Sequence, residues 1–197
     1  MKKTEYLALL RGINVGGKNL IKMNNLAELF ESMGFTDIKT YIQSGNILFK
    51  DLEKDKIKIK EKIEKTLFEK MKMEIKVLII TFKEIKNIFN NIPNGFGEEM
   101  KDYKYDVIFL IEPLTTKMML KELTAKEGVD EIYEGKNVFY IKRFIKKLTA
   151  SYIKKIMKTE MWQYITIRNW NTTKKLYELM SEREGFTPQH ARIASSP

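Results

Sequence analysis

The order of apolar and polar residues predicts strands and helices that alternate along the first half of the chain. The continuous apolar run YLALL (6–10) indicates a strand that is buried on both faces. Apolar residues recur every four positions over 53–73 and predict a long amphipathic helix. The remaining elements are a helix capped by Asn25, with Glu28 as its capping-box partner and Gly34 as its stop, a hairpin IKTYIQSGNILFK that turns at Ser44-Gly45, a strand over 75–81 and a helix over 82–90.

The second half repeats this order after the turn residues Pro93, Asn94 and Gly95. YDVIFLIEP (105–113) predicts a strand that ends at a proline. It is followed by a helix from Thr115 or Thr116 to Gly128, a hairpin EIYEGKNVFYIKRF that turns at Gly135-Lys136, a helix over 149–158, a strand QYITIRN, and a last helix capped by Asn171 or Thr172.

Both halves therefore have the order β-α-ββ-α-β-α, and βαββαβ is the ferredoxin-like split βαβ motif. We predict an α+β protein with two tandem ferredoxin-like subdomains, each an antiparallel sheet with helices on one face. The predicted boundaries are 1–92 for the first subdomain, 93–104 for a linker, 105–182 for the second subdomain, and 183–197 for a polar, disordered tail.

The composition excludes several kinds of chemistry. The chain has no cysteine, so disulfides, thiol nucleophiles, iron–sulfur clusters and thiolate zinc sites are absent. The single histidine, His190, lies in the polar tail, which excludes a His–His metal pair and a Ser–His–Asp triad. We therefore predict no metal site. No apolar run approaches the about 20 residues of a membrane span, and Arg11 interrupts any signal-peptide core, so we expect a cytoplasmic protein without a membrane partner.

Positive charge is concentrated in one segment. The net charge is +10, and residues 135–175 hold eleven Lys and Arg against one acid, Glu160, while the rest of the chain is balanced. Such a field attracts polyanions or anionic ligands. The alternative is compositional drift, because Lys outnumbers Arg 31 to 5 and Ile and Asn are abundant, as in chains encoded by AT-rich DNA.

The segment RGINVGGKN (11–19) approaches the nucleoside-triphosphate loop G-x-x-x-x-G-K-[ST], but Asn19 stands where a hydroxyl must ligate magnesium. It is therefore no genuine triphosphate loop. Its glycines still permit positive φ and let backbone N–H groups converge on an anion. Arg11, Lys18, Asn14 and Asn19 add further polar groups. The alternative is a tight crossover that needs glycine for geometry alone.

Two other motifs carry polar residues at predicted strand ends or turns. QSGN (43–46) suits a hairpin turn, although turn chemistry does not call for Gln43. In TIRNWNTT (166–173) a strand ends at Arg168 and a helix begins, and a helix N-terminus is a ready anion site. Trp170 could stack on a planar ligand or fill the core.

These motifs also carry a family resemblance. YLALLRGINVGGKN, GFTDIKTYIQSGNILF and TIRNWNTTKKLYEL closely resemble the bacterial family known as domain of unknown function 1697, from about residue 4 to about residue 181. The resemblance implies a soluble α+β protein with a duplicated ferredoxin-like architecture, and it brings no established activity. Its signature residues fall here on Arg11, Gly12, Asn14, Val15, Gly16 and Gly17, on Gln43, Ser44, Gly45 and Asn46, and on Arg168, Asn169, Trp170 and Asn171.

The leading hypothesis is that the three motifs converge in a basic cleft that binds a phosphate-bearing or other anionic ligand, either a nucleotide or a nucleic acid. The predicted binding residues are Arg11, Asn14, Gly16, Gly17, Lys18, Gln43, Ser44, Asn46, Arg168, Asn169, Trp170 and Asn171. The ferredoxin-like sheet could also offer aromatic residues for stacking on bases. The alternatives are an enzyme that acts on an anionic metabolite, and an interaction protein whose motifs hold the two halves together. The pattern singles out no catalytic base and leaves cofactor and oligomeric state open.

Overall fold

Two four-stranded antiparallel sheets organise the molecule, one in each half of the chain. The structure is a computed structural model that describes residues 2–17 and 19–186. The first half comprises β1 (Thr4–Leu10), α1 (Met23–Ser32), β2 (Thr36–Tyr41), β3 (Asn46–Asp51), α2 (Lys56–Met71), β4 (Val77–Thr81) and α3 (Phe82–Asn90). Its sheet has the strand order β2-β3-β1-β4.

The second half repeats the pattern with the sheet order β6-β7-β5-β8. Its elements are β5 (Tyr103–Leu110), α4 (Thr116–Met119), β6 (Asp130–Gly135), β7 (Val138–Phe144), α5 (Ile153–Ile156), β8 (Ile165–Asn169) and α6 (Trp170–Arg183), with 3₁₀ helices at Ile145–Ala150 and Glu160–Tyr164. The predicted pair of tandem ferredoxin-like subdomains is confirmed.

Each sheet is covered on both faces, which explains why the central strands are continuously apolar. In β1, Tyr6 and Ala8 pack on α1 and α2, whereas Leu7 and Leu9 point to a cluster in the middle of the molecule. In β5, Val107 faces the same middle cluster. The middle cluster also contains apolar residues of α3 and α6, so these two helices join the two sheets.

The two aromatic side chains at the centre of β7, which the sequence offered for stacking on bases, lie in the core, and one of them belongs to the middle cluster. Tyr140 of β7 is fully buried in it, and the Tyr140 hydroxyl donates to the carbonyl of Ile88, 2.5 Å away. Phe139 is fully buried on the opposite face of the same strand. That form of the nucleic-acid hypothesis is wrong for these two aromatics, because the sheet faces form the core.

The predicted linker also contributes to the core. Its turn at Pro93–Gly95 is followed by Phe96, which is buried and packs edge-on against Tyr105, Tyr140 and Trp170. The strand β5 begins at Tyr103, two residues before the predicted boundary.

Two predicted helix caps are not observed. Helix α1 begins at Met23 without a side-chain cap, so the predicted Asn25–Glu28 capping box is absent. The helix begins two residues before Asn25, so Asn25 lies inside the first turn and cannot occupy the cap position. Helix α6 is capped by Asn169, whose Oδ1 accepts from the N–H of Asn171 at 2.9 Å, rather than by Asn171 or Thr172.

Three predicted elements of the second half are shorter or shifted. The helix expected up to Gly128 ends at Met119, and the hairpin turns at Lys136-Asn137, where Asn137 adopts a φ of +59°. The helix predicted over 149–158 is broken at Ser151. Buried Asp130 explains the break, because its carboxylate accepts from the N–H of Tyr152 at 2.8 Å and holds the chain in an interrupted path.

The end of α6 is tied to the first sheet. Arg183, placed in the tail by the sequence prediction, is the last helical residue, and its Nε lies 2.7 Å from Glu5 Oε1 in β1. Glu5 is 1% exposed, and burial raises its pKa from 4.5 to about 6 even though Arg183 opposes the shift. Residues 187–197, which include His190, lie outside the described residues.

Glu5 should therefore give the stability a specific pH dependence. The folded protein binds the Glu5 proton more tightly than the unfolded chain does, so the contribution of Glu5 to the free energy of unfolding falls as the pH rises from 4.5 to about 6. A shift from 4.5 to about 6 corresponds to about 2 kcal/mol. Urea unfolding of wild type and Glu5→Gln between about pH 4 and pH 7 measures this contribution as the difference between the two curves.

The matched control is Glu98→Gln, which removes a carboxylate at an exposed position. Its difference from wild type should not fall over the same pH interval. A wild-type advantage over Glu5→Gln that grows with pH from 4.5 to 6 would contradict the assignment.

Candidate functional site

The three sequence motifs meet where the two halves of the chain are joined. Arg168, in β8 of the second half, reaches across to the first half and is 6% exposed. Its Nε donates to Asn46 Oδ1, and its Nη2 donates to the carbonyls of Leu10 and Ser44 at 3.0 and 2.8 Å. The predicted convergence is therefore present, but it forms around a buried guanidinium.

The hydrogen bonds of Arg168 leave it no donor for a ligand. Its Nη1 donates to Thr166 Oγ1 at 2.8 Å and to the carbonyl of Ile167 at 2.9 Å. Burial lowers its pKa to about 10, so the side chain stays charged near neutral pH. The prediction that Arg168 lines an open anion cleft is thus corrected: the end of β1 and the turn between β2 and β3 present carbonyl oxygens, and the guanidinium satisfies them instead.

Arg11 crosses the same junction in the opposite direction. It follows β1 in the first half, and its Nε donates to the carbonyls of Trp162 and Ile165 at 3.2 and 3.1 Å. Its Nη2 donates to the carbonyl of Trp162 at 2.9 Å. Burial lowers the pKa of Arg11. Each half thus contributes one arginine that binds backbone oxygens of the other half.

The QSGN turn serves the junction through its last residues. Asn46 is fully buried, and its Nδ2 donates to the carbonyl of Tyr41 and to Ser44 Oγ, both at 3.0 Å. Gly45 has a φ of +72°, and a Cβ there would lie 2.8 Å from Ile13 Cδ1. Close approach and turn geometry account for these residues, whereas the Gln43 side chain is exposed to solvent.

The glycine loop is the part of the predicted site that faces solvent. Asn14 closes it, since its Nδ2 donates to the carbonyls of Ile21 and Gln43 at 2.9 and 2.8 Å. Gly16 and Gly17 are exposed at φ values of +58° and +74°, and a Cβ on either would meet nothing within 4 Å. Packing therefore does not explain these glycines, and anion binding by their backbone stays a prediction. The predicted ligand Lys18 lies outside the described residues.

The remaining predicted site residues cap and pack the last helix. Trp170 is 7% exposed, stacks on Phe89 with ring centroids 4.9 Å apart, and meets Phe96 edge-on at 5.4 Å. Asn169 caps α6 and also donates to the carbonyl of Tyr105 at 3.3 Å. The structure thus places Trp170 in the core. The N–H of Asn171, which the sequence analysis predicted as a donor to an anion, instead donates to the side chain of Asn169.

The basic segment 135–175 separates into neutralised and unpaired charges. Arg143 binds Asp106, Lys142 binds Glu99 and Glu131, and Lys175 binds Glu178. Five exposed lysines between β7 and β8 have no carboxylate within 4.0 Å among residues 2–17 and 19–186, and we call them the lysine face: Lys146, Lys147, Lys154, Lys155 and Lys158.

One lysine of the lysine face lies over an exposed aromatic ring, and a buried acid holds the backbone beside it. The Nζ atoms of Lys155 and Lys126 lie 3.5 and 5.4 Å from the ring centroid of Tyr152, which is 36% exposed. Asp130 accepts from the N–H groups of Tyr152 and Lys126 at 2.8 and 3.4 Å. The charge count along the sequence located this segment, but only the contacts show which of its cations are unpaired.

Neither a metal centre nor a membrane span emerges from the part of the chain that the structure describes. Within it, no group of three or more His, Asp or Glu side chains is placed to hold a metal ion. None of its helices is both long enough and apolar enough to cross a membrane.

The two halves have the same ferredoxin-like sheet order, and Arg168 of the IRNWN motif joins them by binding the end of β1 and the QSGN turn. The protein therefore belongs to a duplicated α+β class. The chain belongs to the family described as protein of unknown function DUF1697, whose model matches residues 3–140. It is also similar to the solved structure of the conserved bacterial protein SP0830 from Streptococcus pneumoniae, with a TM-score of 0.79 and 26% sequence identity over 91% of this chain and 99% of that one. No curated protein matches the sequence.

Proposed function

We propose that this protein binds nucleic acid through contacts between the lysine face and the phosphate backbone. The observation that carries the proposal is the set of five exposed lysines without a carboxylate partner in the described part of the chain. Lysines that neutralise phosphates release the cations condensed on the nucleic acid, and this release supplies most of the affinity in sequence-independent binding. A cytoplasmic location belongs to the same proposal.

The internal duplication supports a specific role for this segment. In the first half, the connection from β3 to β4 is the helix α2, where Glu61, Glu64 and Glu69 interrupt the lysines. In the second half, the connection from β7 to β8 contains no acid before Glu160. Compositional drift toward lysine would act on both connections, so the loss of carboxylates in only one of them favours a functional reason.

The contacts available favour backbone recognition over base readout. Phe139 and Tyr140 of the second sheet are buried, and the exposed ring of Tyr152 lies under the Nζ of Lys155. Lysine is a compact point charge that suits phosphate oxygens without reading bases. We therefore expect similar affinity for oligonucleotides of different sequence.

The test replaces three lysines of the face together, Lys146→Gln, Lys154→Gln and Lys158→Gln, and measures fluorescence anisotropy with a labelled strand of about 20 nucleotides. We expect the affinity at about 50 mM salt to fall about tenfold or more, because phosphate contacts are lost. The slope of log Kobs against log salt concentration should become shallower by about 2, because each lost phosphate contact on a single strand contributes about 0.7 to the slope.

The matched control removes the same charge from the first half, with Lys54→Gln, Lys58→Gln and Lys70→Gln, all at exposed positions. This variant should bind nearly as tightly as wild type. Equal weakening by the two triple variants, or wild-type binding that is indifferent to salt, would show that the lysine face is not the site.

The geometry of the junction also supports the alternative role for the three motifs, which is to hold the two halves together. Arg11 and Arg168 bind backbone oxygens across the junction. This structural role and the proposed binding function involve separate surfaces, so both can hold in one molecule.

A further inference from the structure

A cleft lies beside Arg11, where the two halves of the chain meet. Its volume is about 500 Å³, which is within the range of small-molecule sites. The first half supplies Arg11, Lys76, Glu64, Glu74 and Phe68, and the second half adds Gln163. The hydrogen bonds of Arg11 to the carbonyls of Trp162 and Ile165 join the two sides of the cleft.

The four charges of the cleft are of both signs and do not pair with one another. No ion pair within 4.0 Å involves Arg11, Lys76, Glu64 or Glu74 in the described parts of the chain. Opposite charges that share a cleft without contact leave both signs available to a ligand.

The side-chain contacts show which polar atoms remain available. Arg11 uses Nε and Nη2 for the carbonyls of the second half, so Nη1 has no hydrogen-bond partner among the residues described. Glu64 accepts from the N–H of Val77 through Oε1 alone, at 2.8 Å. Lys76 makes a cation–π contact with Tyr164, with its Nζ 4.6 Å from the ring centroid.

An apolar surface completes the cleft. Phe68 is 49% exposed although it lies on α2, and it borders the cleft together with the charged groups. A ligand that matches this lining has an anionic group for Arg11 and Lys76, an ammonium group for the two glutamates, and an apolar portion for Phe68.

We propose that this cleft binds a small zwitterion of the amino-acid or short-peptide class, with the anionic group at Arg11 and Lys76 and the ammonium group at Glu64 and Glu74. This site is separate from the lysine face, and neither proposal depends on the other. The chemistry shared by the possible ligands is a carboxylate or phosphate and an ammonium group joined by a short apolar frame.

The experiment is a thermal-shift screen of the full-length protein followed by calorimetric titration. The probes are free phenylalanine, a Phe-Phe dipeptide and phosphoethanolamine, with phenylpropionate and phenethylamine as analogues that carry only one of the two charges. We expect at least one zwitterion to raise the melting temperature and to bind at least about tenfold more tightly than either singly charged analogue.

Two variants test the assignment of the two ends. Glu74→Gln should weaken the zwitterion about tenfold without affecting phenylpropionate, and Lys76→Gln should do so without affecting phenethylamine. Melting temperatures of the free variants near that of wild type show that the fold is intact. Glu98→Gln, which removes an exposed carboxylate elsewhere, serves as the control and should bind like wild type.

The proposal is overturned if no zwitterion of the panel binds, if phenylpropionate binds as tightly as the zwitterion, or if Glu74→Gln strengthens zwitterion binding. None of these outcomes bears on nucleic-acid binding. That proposal is tested separately by the oligonucleotide anisotropy of the Lys146→Gln, Lys154→Gln, Lys158→Gln variant.

Discussion

Arg168→Gln is expected to lower the free energy of unfolding by about 3 to 5 kcal/mol. The substitution leaves the carbonyls of Leu10 and Ser44 and the side-chain oxygen of Asn46 without their donor in a buried region. Each unsatisfied buried group costs about 1 to 3 kcal/mol. Urea unfolding followed by circular dichroism measures the loss.

Arg168→Lys and Lys174→Gln distinguish the hydrogen-bonding role from the charge. Lysine keeps the charge but cannot reach carbonyl groups on both sides of the junction as a planar guanidinium does, so Arg168→Lys should lose most of the same stability. Lys174→Gln removes an exposed cation of the following helix and should change stability by less than about 0.5 kcal/mol. An Arg168→Gln protein as stable as Lys174→Gln would mean that the guanidinium does not hold the halves together.

The elements that follow local rules were predicted closely. Helix α3 has the predicted bounds, Phe82–Asn90, because Thr81 and Glu84 form a capping box at its start and its apolar stripe is regular. The break at Ser151 was not predictable, since the acceptor that causes it, Asp130, lies 22 residues before Tyr152 in the sequence. Local patterns cannot report a hydrogen bond that only the folded sheet brings into place.

The sequence analysis predicted that the three motifs would meet, but it did not predict what their residues bind. The sequence indicated that strand ends and a turn would meet, and they do so around Arg168. A guanidinium, however, can donate to phosphate oxygens or to carbonyl oxygens, and the choice depends on burial. The lysine face could not be predicted either. Counting charges along the sequence does not separate its unpaired lysines from Lys142 and Arg143, which have acidic partners.

Trp170→Ala should destabilise the protein by about 3 to 5 kcal/mol if the ring is a core residue, as its contacts with Phe89 and Phe96 require. Thermal and urea unfolding both report the loss. The comparison variant is Trp162→Ala, which removes the same atoms from a half-buried ring and should cost less. A Trp170→Ala protein with near wild-type stability would contradict the core assignment and would favour a role for Trp170 in stacking on a ligand.

A double-mutant cycle with Gly97 makes the packing claim sharper. A Cβ on Gly97 would lie 2.3 Å from Trp170 Nε1, and the glycine has a φ of +92°, so Gly97→Ala should be strongly destabilising in wild type. In the Trp170→Ala background the clash is gone and only the backbone strain remains, so the same substitution should cost less there. Because residues in contact couple by about 0.5 to 3 kcal/mol, additive losses would contradict the close packing of the linker on the last helix, and with it the continuity of the core that joins the two halves.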